Sequence, residues 1–181
     1  NICRSPLAHG ILESKLPEGW SVDSAGTSGW HEGERPDTRS ILEAKKNNIS
    51  IDHQRSRPVV EQDFYDFAIL FAMDSSNYTN LCNMAPEESL KSKVRLIMNE
   101  VEPGKNIQVP DPYTGGQSGF AHVFGMLDEA IDAFLEKCIA ENPELKDYQV
   151  LSVKKEYFGN INLKDKFFES FLDDYSEFEK W

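Results

Sequence analysis

Apolar residues along this chain recur with two different periods. After Ser5-Pro6 they stand at Leu7, Ile11 and Leu12, one face of a helix. Ser caps and Pro pre-sets φ, so the pair predicts a helix start. Residues 20–29 read as a short strand running into a Gly/Ser loop. Residues 37–48 read as a helix that stops at Asn47-Asn48, and residues 49–53 alternate like a strand. The run FAILFAM (67–73) is continuously apolar, which predicts a strand buried on both faces. Asp74 ends that run and is placed to cap a following helix. KVRLIM (93–98) is the next strand candidate, and VPDPYTGGQSG (109–119) is built of turn formers. Phe120, Phe124, Leu127, Ile131, Phe134, Leu135 and Cys138 then repeat at helical spacing, predicting a long amphipathic helix.

Strands alternating with helices predict an α/β fold with a central parallel sheet. Chemistry then belongs at the carboxyl ends of the strands. The pattern changes near the end of the chain, where nine of the 20 aromatic residues fall within 143–181. A solvated linker is not this aromatic. The chain is therefore divided into a domain of residues 1–142 and a segment 143–181, either an aromatic acidic C-terminal extension or the start of a truncated further domain.

Charge narrows the function classes. A net charge of -12 and a pI of about 4.8 argue against nucleic-acid binding. They also require any anion site to be built locally, against the overall field. No apolar run is long enough to span a bilayer, and none reads as a signal peptide. Cys3, Cys82 and Cys138 are odd in number and widely spaced, so they make neither a disulfide framework nor a zinc motif. A reducing, cytoplasmic setting is the default, and no metal or cofactor is expected. Asn1 is not a translation start, so the chain is expected to begin inside a longer reading frame or after processing.

Candidate chemistry opens the chain. Asn1-Ile2-Cys3-Arg4-Ser5-Pro6 joins a turn to a helix N-terminus, where backbone N–H groups and the helix dipole favour an anion. Arg4 adds a bidentate fork for two phosphoryl oxygens. The plain alternative, an exposed arginine at a helix start, puts a cation at the unfavourable end of the dipole. Asp111, in the Pro-Asp-Pro-Tyr-Thr-Gly-Gly loop, is the candidate to protonate a leaving oxygen; otherwise it only starts a turn.

The Asn-Ile-Cys-Arg-Ser stretch resembles the second half of the active-site loop of low-molecular-weight protein tyrosine phosphatases, Cys-x-x-Asn-x-Cys-Arg-Ser. VDSAGTSGWHEGERPD (22–37), AMDSSN (72–77) and VPDPYTGG (109–116) resemble further family segments in the same order, over roughly residues 1–140. The resemblance implies a three-layer sandwich around a central parallel sheet, the phosphotyrosine protein phosphatase I-like fold. It implies hydrolysis of phosphotyrosine proteins or small aryl phosphates through a cysteinyl-phosphate intermediate. Asp111 is implied as general acid, then as base on the hydrolytic water.

By the same resemblance Asn1, Ile2, Cys3, Arg4 and Ser5 wrap the phosphate, and Ser5 also steadies the thiolate. Asn1, Ser24 and His53 support the loop, or serve only as turn and cap residues. Trp30 and Tyr113 wall the cleft, unless Trp30 is a core anchor. Where many family members carry a second aromatic after Tyr113, this chain has Thr114, which bears on substrate preference. The pattern puts the nucleophile three positions before Asn1, so Cys3 is not it. Cys3 is a candidate for reversible pairing with that nucleophile, or a small buried residue. The chain as written is expected to lack the nucleophile and the central strand leading to it, and to be inactive by itself. Two other readings share the loop. Arsenate reductase needs extra cysteines near the strand after residue 67, where Ala72 and Met73 stand. A non-catalytic phosphate-binding pseudophosphatase has no use for Asp111. Oligomeric state is not legible.

Overall fold

The computed structural model describes residues 1–16 and 20–141. Helix α1 (Arg4–Lys15) is followed by α2 (Thr38–Lys46), α3 (Asp63–Asp66), strand β1 (Leu70–Ala72), α4 (Ser75–Met84), strand β2 (Val94–Leu96) and α5 (Gln117–Glu141). Two short 3-10 turns, Glu88–Lys93 and Ile97–Glu100, flank β2. The segment 143–181 lies outside the described residues, and with it the expected extension.

β1 and β2 pair in parallel, in the register Leu70–Val94, Phe71–Arg95 and Ala72–Leu96. Successive side chains of a strand point to opposite faces, and the core divides accordingly. Leu70 and Ala72 pack with Phe64, Leu81, Val94 and Leu96 on one side. Phe71 packs on the other side, against the cluster of Leu7, Ile11, Ala44, Val123, Leu127 and Ile131. α3 and α4 thus cover one face of the sheet, and α1, α2 and α5 the other. This is an α/β sandwich with helical layers on both faces of a parallel sheet. The continuous apolar run FAILFAM is the sequence trace of that double cover.

The helix boundaries have local causes. Asp37 caps α2 by accepting the Arg39 N–H at 2.8 Å. The helix ends at the Asn pair, with Asn48 left-handed at φ 60°, a conformation asparagine tolerates better than most residues. Asp74 caps α4 by accepting the Asn77 N–H at 2.8 Å, as its position after the strand predicts.

Three expectations need correction. Ser5 is not the cap of α1: the N-cap is Cys3, without a side-chain cap bond, and Ser5 and Pro6 lie inside the first turn. Residues 20–25 form no regular strand; beside them only an isolated parallel bridge links Gly26 to Pro58. Residues 49–53 form no strand either, although Ile51 is fully buried and Ile49 packs on the core. Alternation there reports which side chains face inward, not whether another strand runs alongside.

Candidate active site

The carboxyl end of β1 and the start of α1 meet at one place. β1 runs through Met73 into Asp74. The Val109 N–H donates to the Met73 carbonyl at 2.8 Å, which seats the start of the 109–116 loop against the end of β1. Arg4, first residue of α1, reaches both: its Nη1 donates to Asp74 Oδ2 and to the Val109 carbonyl, each at 2.7 Å. Nε and Nη2 carry no hydrogen bond among the described residues. The guanidinium is therefore fixed by one corner, with donors left for an anion. Burial pushes the Asp74 carboxyl up, but the Asn77 N–H and the Arg4 guanidinium outweigh it and hold the group below the usual carboxylate range. The cation at the helix N-terminus is thus compensated by a carboxylate from the strand end.

The residues ahead of α1 are bound to three separate segments. Asn1 Nδ2 donates to Ser24 Oγ at 3.0 Å, while its Oδ1 accepts from Ser56 Oγ at 2.8 Å and from the Arg57 N–H at 3.1 Å. The Ile2 carbonyl accepts from the Asp37 N–H at 2.7 Å. The Cys3 carbonyl accepts from Ser40 Oγ at 3.0 Å. Close approach favours glycine at position 26, since a Cβ there would stand 3.0 Å from the Asn1 nitrogen and 3.2 Å from the Ser28 carbonyl oxygen. Arg57 braces the rim through Asp23 at 2.9 Å and through both oxygens of Asp63.

Cys3 is buried, and burial, joined by the charges of Asp37 and Asp111, pushes its thiol up to about 12. It is a neutral thiol at physiological pH. The influence of Asp111 on Cys3 also places the Asp111 carboxylate within electrostatic reach of the loop. Asp111 itself is exposed, and its Oδ1 accepts the Tyr113 N–H at 3.0 Å. Tyr113 is half exposed beside it, 5.6 Å from Arg39 Cζ to the ring centroid.

Trp30 is 88% exposed, so it is not a core anchor. It stands on a loop rooted against Asn1 at Gly26 and against Ile2 at Asp37. His53 does not join the others. It is exposed, its Nε2 lies 3.8 Å from Glu13 Oε2, and the bonds to Asn1 come from Ser56 and Arg57 instead. Ser56, Ser40 and the Val109 carbonyl escaped the sequence reading because a serine in a polar loop and a backbone carbonyl carry no compositional signal. Asp37 had one, as an Asp ahead of a helical run. Among the described residues no group of three or more His, Cys, Asp or Glu is arranged to hold a metal ion. No helix among them is long and apolar enough to cross a membrane.

On this α/β sandwich a helix N-terminus carries a half-anchored guanidinium, and the loop seated beside it carries a solvent-exposed carboxylate, an arrangement suited to an anion. A family model for low molecular weight phosphotyrosine protein phosphatase matches residues 1–144, and the chain belongs to that family of enzymes. The low molecular weight phosphotyrosine protein phosphatase of Schizosaccharomyces pombe is 37% identical over 142 residues, covering 75% of this chain and 90% of the relative. Its human counterpart is 34% identical over 143 residues, covering 76% and 89%. The crystal structure of an Entamoeba histolytica protein tyrosine phosphatase with Hepes in the active site superposes with a TM-score of 0.70. It is 38% identical, covering 76% of this chain and 90% of that one.

Proposed function

We propose that the protein hydrolyses phosphotyrosine and small aryl phosphate monoesters, with Arg4 as the phosphate clamp and Asp111 as the proton donor. One observation carries the assignment. The Val109 carbonyl that accepts from Arg4 lies two residues before Asp111. The cation that holds the phosphoryl group and the loop that carries the acid thus share one anchor.

The chemistry follows from that arrangement. The loop pattern puts a thiolate three positions before Asn1, under the first-turn N–H groups of α1. Its sulfur attacks phosphorus as the phosphorus–oxygen bond to the aryl group breaks. Charge on the equatorial oxygens is met by backbone N–H groups and by Nε and Nη2 of Arg4. Asp111 gives its proton to the leaving phenolate oxygen. The resulting carboxylate then takes a proton from water, whose oxygen attacks phosphorus and releases the thiolate and inorganic phosphate. Trp30 and Tyr113 present exposed rings that suit an aryl group, and Asn1 and Ser24 hold the loop's shape. Ile2, Cys3 and Ser5 contribute backbone to the cradle. Cys3 and Cys82 form no disulfide among the described residues, which fits a cytoplasmic setting. The acidic surface favours a protein or small-molecule substrate over nucleic acid or membrane. We assign residues 1–142 to the phosphatase domain and 143–181 to an appended segment.

The test uses Asp111→Asn in the full natural protein and compares kcat/KM on two esters. For phenyl phosphate, whose leaving group needs a proton, the loss is expected to be on the order of 10²-fold or more. For 2,4-dinitrophenyl phosphate, whose phenolate departs unprotonated, the loss should be far smaller. Equal losses on both esters would remove Asp111 from the acid role.

A further inference from the structure

Arg39 is unused by the chemistry above, yet its side chain is heavily engaged. Its Nε and Nη2 donate to the two oxygens of Asp37 at 2.9 and 2.8 Å. Its Nη1 donates to the carbonyls of Tyr113 at 3.0 Å and Gly115 at 2.8 Å. Four of the five guanidinium N–H groups are thereby used. The Phe120 and Tyr113 ring centroids lie 4.5 and 5.6 Å from Cζ, both within cation–π range. The Arg39 carbonyl accepts from Gln117 Nε2 at 3.2 Å, and the same nitrogen donates to Glu43 at 2.8 Å. α2 therefore grips both the acid loop and the first residue of α5.

The other end of this assembly rests on the phosphate loop. The Asp37 N–H donates to the Ile2 carbonyl at 2.7 Å. A continuous chain of bonds runs from Ile2 through Asp37 and Arg39 to Tyr113, whose N–H holds Asp111 Oδ1. The two loops that must meet across the substrate are joined by one ion pair at their flank. Hydrogen bonds from Arg39 hold the Asp37 carboxyl below the usual carboxylate range, so the pair stays ionised across the working pH range.

We infer that Arg39, braced by Asp37, is a positioning residue for the general acid: it fixes the Tyr113 and Gly115 carbonyls so that Asp111 stands over the leaving oxygen. The inference rests on Asp111 being that acid. The requirement is geometric. A planar fork spans a carboxylate on one side and two carbonyls on the other, while an ammonium cannot reach all three. Lysine at this position keeps the positive charge near Asp111 but loses the span. A merely electrostatic role and a positioning role therefore part company at Arg39→Lys.

Arg39→Lys and Arg39→Gln are made in the full natural protein, alone and combined with Asp111→Asn. kcat/KM is read on phenyl phosphate and 2,4-dinitrophenyl phosphate, and the inhibition constant of inorganic phosphate is read on the same preparations. That constant reports whether the phosphate loop is still formed. Both single variants are expected to lose on the order of 10- to 100-fold on phenyl phosphate. The dinitrophenyl ester and phosphate inhibition should change less than about threefold. In the Asp111→Asn background, Arg39→Gln should cost almost nothing more, because the two residues act as one unit. Equal losses on the two esters, rescue by lysine, or losses that multiply in the combined variant would each overturn the inference. If Asp111→Asn itself shows no ester dependence, the acid assignment and this inference fall together. If it does and Arg39→Gln does not, only the inference falls.

Discussion

The segment Asn1–Arg4, proposed as the phosphate cradle, and the loop 109–116, proposed to carry the acid, are held very differently. In the first, Asn1 makes three side-chain bonds to two other segments, the Ile2 and Cys3 carbonyls are both occupied, and Arg4 is pinned at one corner. In the second, Val109 is anchored to Met73 and Arg4, but residues 113–116 are exposed, and beyond that anchor the loop is tied by the Tyr113 N–H to Asp111, the Gly115 N–H to the Pro112 carbonyl and Arg39. The difference follows from the two tasks. A phosphate cradle gains from dipoles that need no reorganisation when charge develops. A carboxyl that first gives and later takes a proton needs contact with water and room for the leaving group to depart.

That contrast can be broken from the first side with the largest effect. Arg4→Ala in the full natural protein is expected to lower kcat/KM for phosphotyrosine on the order of 10³-fold. Arg4→Lys should recover little of it, since a point charge does not reproduce the fork. Full recovery by lysine in steady-state kinetics would reduce Arg4 to a simple charge.

Asp74 carries a smaller and pH-dependent effect. Its carboxyl is held below the ordinary value in the folded protein, so the unfolded chain takes up the proton first as pH falls. The stability it adds is complete above about pH 4 and is lost as pH drops through the folded value. Asp74→Asn keeps a capping oxygen but loses the charge facing Arg4. Denaturant titrations of this variant should give lower stability than the parent at neutral pH and a shallower decline below about pH 4. A parent and variant with parallel pH profiles would show that the Arg4 pair contributes nothing through linkage.

The smallest expected effect is at Ser56. Removing its hydroxyl leaves Asn1 Oδ1 with the Arg57 N–H alone. Ser56→Ala should cost about 1 kcal/mol by thermal or urea unfolding. Catalysis should slow severalfold, with little change in ester preference. A change in ester preference instead would mean that the support of the phosphate loop also reaches the acid.

These residues show where the sequence was legible. FAILFAM, the Asp74 cap and the amphipathic repeat from Phe120 gave the sheet, the turn after it and the long helix, because each is a local rule written in residue type. Ser24 Oγ accepts from Asn1 Nδ2 and so is joined to the loop. His53 is exposed and lies near Glu13, while the bonds to Asn1 Oδ1 come from Ser56 and the Arg57 N–H. Which residue of such a polar loop reaches Asn1 is decided by tertiary packing and leaves no mark on the pattern. The strut from Asp37 through Arg39 was illegible for a related reason. Its partners at Tyr113 and Gly115 are carbonyls 74 and 76 residues away, and any residue type presents a carbonyl.

The division between a fixed anion cradle and a separate acid loop is tested most directly by titrating inorganic phosphate calorimetrically into the full natural protein, its Arg4→Ala variant and its Asp111→Asn variant. The account predicts that Asp111→Asn binds phosphate as the parent does, within about threefold, while Arg4→Ala loses at least about tenfold. Comparable losses in both variants would contradict it, since the acid loop would then be part of the cradle.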